Sequence, residues 1–164
     1  NGLWKQLIDH GMKKGDLCAK TGLSSSTIAK MTNCESVKLS VLEKICKEHT
    51  SKEVELLIID GKSMHELNLE HRGMDKTTDV LSFPVDDFPH APLGSIVINY
   101  ELASQKAQEL GHTIEEETTL LFIHGMLHLL GFDHEIDHGE MREEEKAWIK
   151  QYNLPESLIV RTEE

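Results

Sequence analysis

The sequence predicts an α+β protein in which a small mixed sheet is covered by helices and is preceded by a small all-α segment. Three short stretches rich in β-forming residues predict the strands: VELLIID at 54–60, DVLSFPV at 79–85 and GSIVINY at 94–100. Stretches with helical periodicity lie between and after them. Residues 1–49 show helical stretches but no readable strand, so the predicted sheet belongs to the second part of the chain.

Charge and cysteine content change along the chain near residue 49. Residues 1–49 hold 8 lysines and 5 acidic residues, whereas residues 50–164 hold 9 lysines and arginines and 24 acidic residues. All three cysteines lie in the first part. We therefore predict two domains, 1–49 and 50–164, with a helix at 40–48 that could belong to both.

The same composition limits the classes of function. An odd number of cysteines without a C-x-x-C pair argues against a disulfide framework and favours a reducing compartment, so we expect a cytoplasmic protein. No run approaches the roughly 18 apolar residues of a membrane helix, so we expect no membrane partner. The acidic second part disfavours binding of nucleic acid through the overall field, although a local basic cleft remains possible.

The first helices of this fold are predicted from capping signals. Ser40, with Glu43 three residues later, has the spacing of a capping box and could begin the helix at 40–48. Ser63 with Glu66 repeats that spacing after the first strand and predicts the start of a second helix there.

The later helices are predicted from their end signals. A helix at 100–110 should end at Gly111, and Thr113 with Glu116 should begin a long helix that reaches Leu130. A highly charged helix at 139–152 should follow.

The long helix carries the stretch HGMLHLLGFDH, which contains His124, His128 and His134. On a helix, residues four apart lie about 40° apart around the axis and about 6 Å along it, so His124 and His128 share one face. Gly131 then allows the chain to turn back and bring His134 to them. Three imidazoles without an obvious fourth ligand are typical of an open catalytic zinc site, which predicts one Zn²⁺ per chain.

Other interpretations of these histidines are open. His138 could complete a closed structural site, and a lone histidine on an apolar helix is most often only a packed residue. Helical zinc proteases use the same spacing, but their general base is a glutamate directly after the first histidine. Here that position is Gly125, which makes peptide hydrolysis the weaker alternative.

Two motifs together resemble the YbeY family of bacterial endoribonucleases, which mature ribosomal RNA. HGMLHLLGFDH is similar to its H-G-x-L-H-L-x-G-x-D-H motif, and RGMDKTTDVLSFP at 72–84 is similar to its R-G-x-x-x-x-T-D-V-L-S-F-P segment. Two further stretches are similar to the family: PLGSIVI and the EEE before the histidine motif. The likeness runs from about Leu39 to Glu164. The resemblance implies zinc on the three histidines, a single-stranded or ribosomal RNA substrate, the small ribosomal subunit as partner, and a catalytic role for Arg72.

The chemistry of phosphodiester cleavage is compatible with these roles. A metal and a fixed guanidinium are suited to stabilising the charge that develops on the phosphate oxygens, and Arg72 could hold a phosphate with two parallel bonds. Arg72 could instead form an ion pair with one of the many acidic residues. Asp133 could orient a ligand imidazole or cap the turn after Gly131, and Asp79 is better explained as an acid at a strand end.

The front of the chain departs from that family, whose members usually open with a strand. KKGDLCAKTGLSSSTIAKM, at 13–31, resembles the helix-turn-helix of Cro/repressor-type DNA-binding domains, with Gly22 at the tight turn. The helix at 25–32 would then be the recognition helix. Ser24, Ser26, Thr27 and Lys30 would be its contacts to duplex DNA.

Three hypotheses about function follow. The leading one is a zinc-dependent endoribonuclease that prefers single strands and acts in the maturation of ribosomal RNA. The second is a DNA-binding regulator in which the part after residue 49 is a sensor or scaffold. The third is an inactive chimera, natural or engineered, joined through the helix at 40–48.

Overall fold

The computed structural model describes residues 39–155, which form five helices and three strands. In chain order these are α1 Leu39–His49, β1 Val54–Ile59, α2 Gly61–Arg72, β2 Val80–Pro84, β3 Gly94–Asn99, α3 Tyr100–Leu110, α4 Ile114–Leu129 and α5 Glu140–Gln151. The predicted α+β class and all three predicted strands are confirmed within these residues.

The three strands form one mixed sheet in the order β1-β3-β2. The central strand β3 runs parallel to β1, with Val54 opposite Gly94, and antiparallel to β2, with Val80 opposite Ile98. Pro84 ends β2 on the outer side of the sheet, where its missing N–H removes no bond of the central ladder.

Helix α4 packs on one face of this sheet. Its residues are buried almost all round, and Phe122, Ile123 and Met126 lie in the main core with Ile96 and Ile98 of β3. Helix α1 adds Leu42 and Ile45 to that core, and α5 adds Met141 and Trp148. The helix predicted to be shared between two domains is therefore packed into the core of the described fold.

The close approach of α4 to the sheet depends on Gly125. A Cβ atom there would lie 2.8 Å from Cγ2 of Ile96, nearer than such atoms normally come. The Ser82 hydroxyl donates to the Gly125 carbonyl over 3.2 Å, which ties α4 to β2 as well. Gly125 therefore fixes the height of the histidine helix above β2 and β3.

Helix α2 lies on the opposite face, where Met64 packs on Leu81 and Val97. This face also carries an open groove of about 490 Å³. Its lining includes Leu57, Ile59 and Phe83. The three-histidine motif is on the other side of the sheet.

The predicted helix starts are right in part. Thr113 and Glu116 form the expected capping box at the start of α4, and α3 ends at Leu110 before Gly111. The expectation for Ser63 is wrong, because α2 begins at Gly61 and the Asp60 carboxylate accepts from the Ser63 N–H over 2.8 Å. An aspartate directly after a strand satisfies the helix N–H groups before the serine is reached.

Several other boundaries differ by one residue, among them both ends of the last helix, which was predicted at 139–152 and is found at Glu140–Gln151. Helix α1 includes Leu39, so Ser40 lies inside it and is not the N-cap. Helix α4 ends at Leu129, and Leu130, predicted as its last residue, is its C-cap. Ends of helices fray, so such shifts leave the positions of the side chains unchanged.

The predicted helix-turn-helix falls outside the described residues 39–155. Its proposed DNA contacts are also outside these residues: Ser24, Ser26, Thr27 and Lys30. The predicted division into domains 1–49 and 50–164 therefore stays a prediction. Among the helices that the structure describes, none is long and apolar enough to cross a membrane.

Candidate metal centre

Helix α4 places the first two histidines of the motif. Its capping box and the three glutamates of its first turn stabilise the positive end of the helix, and its apolar surface is buried against the sheet and α5. Beyond its first turn, His124 and His128 are the two residues of α4 that remain partly accessible. Their ring centroids are 4.8 Å apart, as their spacing predicts.

The turn after α4 brings the third histidine to the first two. The Phe132 N–H donates to the Leu127 carbonyl over 3.0 Å, and Gly131 has a φ of +100°, which favours glycine. The chain therefore reverses, and the His134 ring lies 5.1 Å from those of His124 and His128. One nitrogen from each ring lies within 4.8 Å of the other two.

Hydrogen bonds fix the orientation of both helical imidazoles. His128 Nδ1 lies 3.0 Å from the Phe132 carbonyl, which can only accept, so Nδ1 carries the proton. His124 Nδ1 lies 2.6 Å from Oε1 of Glu145, a carboxylate on α5 that is 4% exposed. In both rings the lone pair is therefore left on Nε2.

These two lone pairs face each other, which fits a bound cation. The Nε2 atoms of His124 and His128 are 3.1 Å apart. Two nitrogens on a tetrahedral zinc, each at about 2.0–2.1 Å from the metal, would be about 3.3 Å apart. Lone pairs at this distance repel each other unless a positive ion lies between them, so the donor set fits zinc.

Electrostatics also favour a neutral ligand. Burial, together with the neighbouring His124 and His134, lowers the pKa of the His128 imidazole below its usual value. A lowered pKa keeps the ring neutral near pH 7, and only the neutral imidazole binds a metal.

Three candidate ligands converge within the part of the chain that the structure describes. His138 is exposed and does not belong to the group of converging nitrogens, so the closed four-ligand alternative gains no support. Asp133 accepts from the Glu135 N–H over 3.0 Å, which matches the turn-capping interpretation. The tight contact of Gly125 with Ile96 also leaves no room for the glutamate that zinc proteases carry at that position.

Arg72 lies beside the loop that carries His134. It is the last residue of α2, and its Nη2 is 3.8 Å from Oε1 of Glu135, the residue after His134. Both side chains are at least half exposed, so this pair contributes little to stability. Asp79 precedes β2 and accepts from the Val80 N–H, as expected of an acid at a strand end.

Glu145 is not among the site residues that the sequence predicts. The residue belongs to EEE at 143–145, which looks like a solvated helix face. A signal was available, because Met141, Trp148 and Ile149 place Glu145 in the middle of the apolar stripe of α5. A carboxylate in such a position requires a buried partner, which here is His124.

The fold and the site together define a metalloprotein with an open three-histidine centre, the ligand arrangement used by hydrolytic zinc enzymes. Comparison with known proteins names the family. The family model described as endoribonuclease YbeY matches residues 21–153, and the chain belongs to this family.

Individual relatives carry the same family name. The endoribonuclease YbeY of Campylobacter jejuni strain RM1221 is 61% identical over 126 residues, which cover 76% of this chain and 93% of the relative. That of Sulfurimonas denitrificans is 55% identical over 128 residues, 78% and 92% of the two chains. The solution structure of TM1509 from Thermotoga maritima aligns with a TM-score of 0.50 at 28% identity, covering 80% of this chain and 87% of the other.

The family match changes the interpretation of the front of the chain. It begins at residue 21, well before the start near Leu39 that the motifs suggested, and it ends at residue 153. It therefore includes Ser24, Ser26, Thr27 and Lys30. The comparisons give no support to a helix-turn-helix domain, to a chimera or to a DNA partner.

Proposed function

We propose that this chain is a zinc-dependent endoribonuclease that prefers single-stranded RNA and acts in the maturation of ribosomal RNA. The observation that carries the proposal is the convergence of three imidazole nitrogens within 4.8 Å in a chain of the YbeY family. Relatives that are 55–61% identical over more than nine tenths of their length carry the name endoribonuclease.

The metal ligands proposed are His124, His128 and His134, each through one ring nitrogen. When bound, zinc supplies a Lewis acid that activates water and stabilises negative charge on a phosphate. The protein holds two of the rings in a fixed tautomer through Glu145 and the Phe132 carbonyl. The side of the site formed by His134 is exposed, which leaves space for a phosphodiester.

Arg72 is proposed as the second catalytic group. Its guanidinium is half exposed, and among residues 39–155 its one ion pair is the long contact with Glu135, so it can turn towards a phosphate. Two parallel N–H bonds to the non-bridging oxygens would orient the phosphate and stabilise the charge that builds up during cleavage. The proximity of Glu135 to His134 in the chain supports this placement.

A preference for single strands is compatible with the charge of the protein. The region after residue 49 carries 24 acidic residues against 9 basic ones, which repels polyphosphate. A duplex carries one phosphate charge per roughly 1.7 Å of axis, a higher density than that of a flexible single strand, so it is repelled more strongly. A single strand can also be bent so that one phosphate enters the site.

Ribosomal RNA within the small ribosomal subunit is the proposed substrate, and the cytoplasm is the proposed location. Such an assembly would present its RNA at a fixed position, so that an acidic enzyme need not capture free RNA through its own field. The free thiol of Cys46 is compatible with a reducing compartment.

Cleavage assays on matched substrates test this function. The purified full chain, with its metal content measured, is incubated with a labelled single-stranded RNA, its duplex and a DNA strand of the same sequence. We expect cleavage of single-stranded RNA above that of the duplex and above that of DNA, which lacks the 2′-hydroxyl by which proteins recognise RNA. His128→Ala, purified in the same way, controls for contaminating nuclease. Equal cleavage by that variant, or none by the zinc-loaded wild type, would contradict the proposal.

A further inference from the structure

We propose that Glu145 is a positioning residue of the metal centre, whose buried carboxylate holds the His124 imidazole in the metal-binding tautomer and offsets the charge of the ion. The inference rests on the zinc site of the proposed function. It adds to that site a residue from α5, an element that supplies none of the three histidines.

Glu145 is buried within the apolar stripe of α5. Its side chain is 5% exposed and lies among Met141, Trp148 and Ile149, all of which are buried. Removing a carboxylate from water costs several kcal/mol unless hydrogen bonds and opposite charge offset it. A nonpolar residue at this position would suit the apolar stripe of α5 better. The carboxylate is therefore explained by what it contacts.

The Glu145 carboxylate contacts the His124 ring at short range. Oε1 of Glu145 lies 2.6 Å from Nδ1 of His124, the length of a strong charge-assisted hydrogen bond. With Nδ1 donating to the carboxylate, Nε2 is left as the free ligand atom and faces Nε2 of His128. A carboxylate, a histidine and a metal in this order form an arrangement that orients the ring and raises its basicity.

The two helical histidines have different partners at Nδ1. His128 Nδ1 donates to a neutral backbone carbonyl, whereas His124 Nδ1 donates to an anion. The backbone carbonyl follows from the turn after α4 and cannot be removed by a side-chain substitution. Of these two partners, only Glu145 can be replaced by mutation. Its substitution can therefore change how strongly His124 binds the metal.

The test compares Glu145→Gln with Glu143→Gln. Both substitutions replace one carboxylate on α5 by an amide, but Glu143 is exposed and its ion pair with Lys146 lies at the surface. Zinc affinity is measured by competition with a chelator, and the melting temperature is measured on the metal-free proteins. We expect Glu145→Gln to bind zinc about 10- to 100-fold more weakly, as is typical when such a partner is lost. We expect Glu143→Gln to bind zinc as the wild type does.

The melting temperature separates positioning from simple packing. The amide keeps the size of the side chain and can still accept from Nδ1, so the metal-free melting temperature should not fall. A lowered melting temperature with unchanged zinc affinity would overturn the proposal and assign Glu145 a structural role. A wild-type chain that binds no zinc would instead contradict the proposed function itself.

A second measurement needs no variant and applies even if Glu145→Gln does not fold. Nitrogen-15 NMR of the zinc-loaded wild type reports which ring nitrogen of His124 carries the proton. The proposal requires a protonated Nδ1 with a strongly hydrogen-bonded proton and a zinc-bound Nε2. Zinc on Nδ1 of His124 would overturn it.

Discussion

The metal centre has two halves that differ in how they are held. His124, His128 and Glu145 lie on α4 and α5, partly or fully buried, with hydrogen bonds of 2.6 and 3.0 Å to the two ring Nδ1 atoms. The other half lies at an exposed loop, which carries His134 and Glu135, and at the end of α2, which carries Arg72. An ion pair of 3.8 Å joins Arg72 to Glu135. We refer to these as the packed half and the exposed half.

The difference indicates that the two halves have different functions. Ligands of a metal must be preorganised, since each loose ring reduces affinity, and a packed helix provides the necessary rigidity. Groups that meet a polymer substrate must be accessible, and their neighbours contribute little to stability. Changes in the packed half should therefore affect metal binding above all, whereas changes at Arg72 and Glu135 of the exposed half should affect cleavage alone.

The largest effect is expected in the packed half. His128→Ala should abolish stoichiometric zinc binding and cleavage, because two remaining imidazoles do not form a zinc site. Metal analysis of the purified variant checks this. His138→Ala is the matched control, since His138 is exposed and outside the converging group, and it should keep its zinc. Full zinc occupancy in His128→Ala would refute the ligand assignment.

The next effect is expected in the exposed half. Arg72→Ala should retain zinc and the melting temperature but cleave RNA about 100-fold more slowly or worse, roughly 2.7–4 kcal/mol in the barrier, as for one preorganised donor. Arg72→Lys should recover only part of the rate, because an ammonium cannot form two parallel bonds to a phosphate. A lower melting temperature with unchanged cleavage per zinc-loaded molecule would remove Arg72 from the active site.

A smaller effect, on stability, is expected for Gly125, which lies between the two helical histidines. Gly125→Ala adds a methyl group 2.8 Å from Cγ2 of Ile96, and such overpacking destabilises by about 1–3 kcal/mol. Alanine also favours a helix over glycine by roughly 0.5–1 kcal/mol, so the net loss should be modest. Denaturant unfolding measures the change. A more stable Gly125→Ala protein would mean that α4 does not approach the sheet as closely as described.

The smallest effect is expected for the ion pair of the exposed half. Glu135→Gln should leave the melting temperature unchanged, because the pair is long and solvated. Cleavage should stay equal or rise, since a negative charge beside the phosphate site is removed. A clear loss of stability in Glu135→Gln would support the alternative in which Arg72 serves mainly as a structural ion-pair partner.

Much of the packed half could be predicted from sequence because its signals are local. Thr113, Glu116 and the spacing of His124 and His128 lie within a single helix, where periodicity and capping apply directly. The start of α2 was missed for a local reason too, since Asp60 was counted as the end of a strand although it caps the helix.

The remaining contacts depend on tertiary structure. Glu145 meets His124 across 21 positions of sequence, and its place in EEE resembles a surface run. The proximity of Arg72 to Glu135 likewise follows from how α2 and the loop after α4 lie in the fold. No local pattern encodes such distances. For the contact between Glu145 and His124, the one available signal was a carboxylate placed within an apolar stripe.

In the proposed function, RNA cleavage depends on a metal that the three histidines hold. One preparation of the wild type should be assayed as purified, after removal of metal by a chelator, and after return of one equivalent of Zn²⁺. We expect cleavage of single-stranded RNA to be lost on removal and restored in proportion to zinc bound, with His128→Ala showing no restoration. Cleavage that persists at full rate in the metal-free protein would contradict the account.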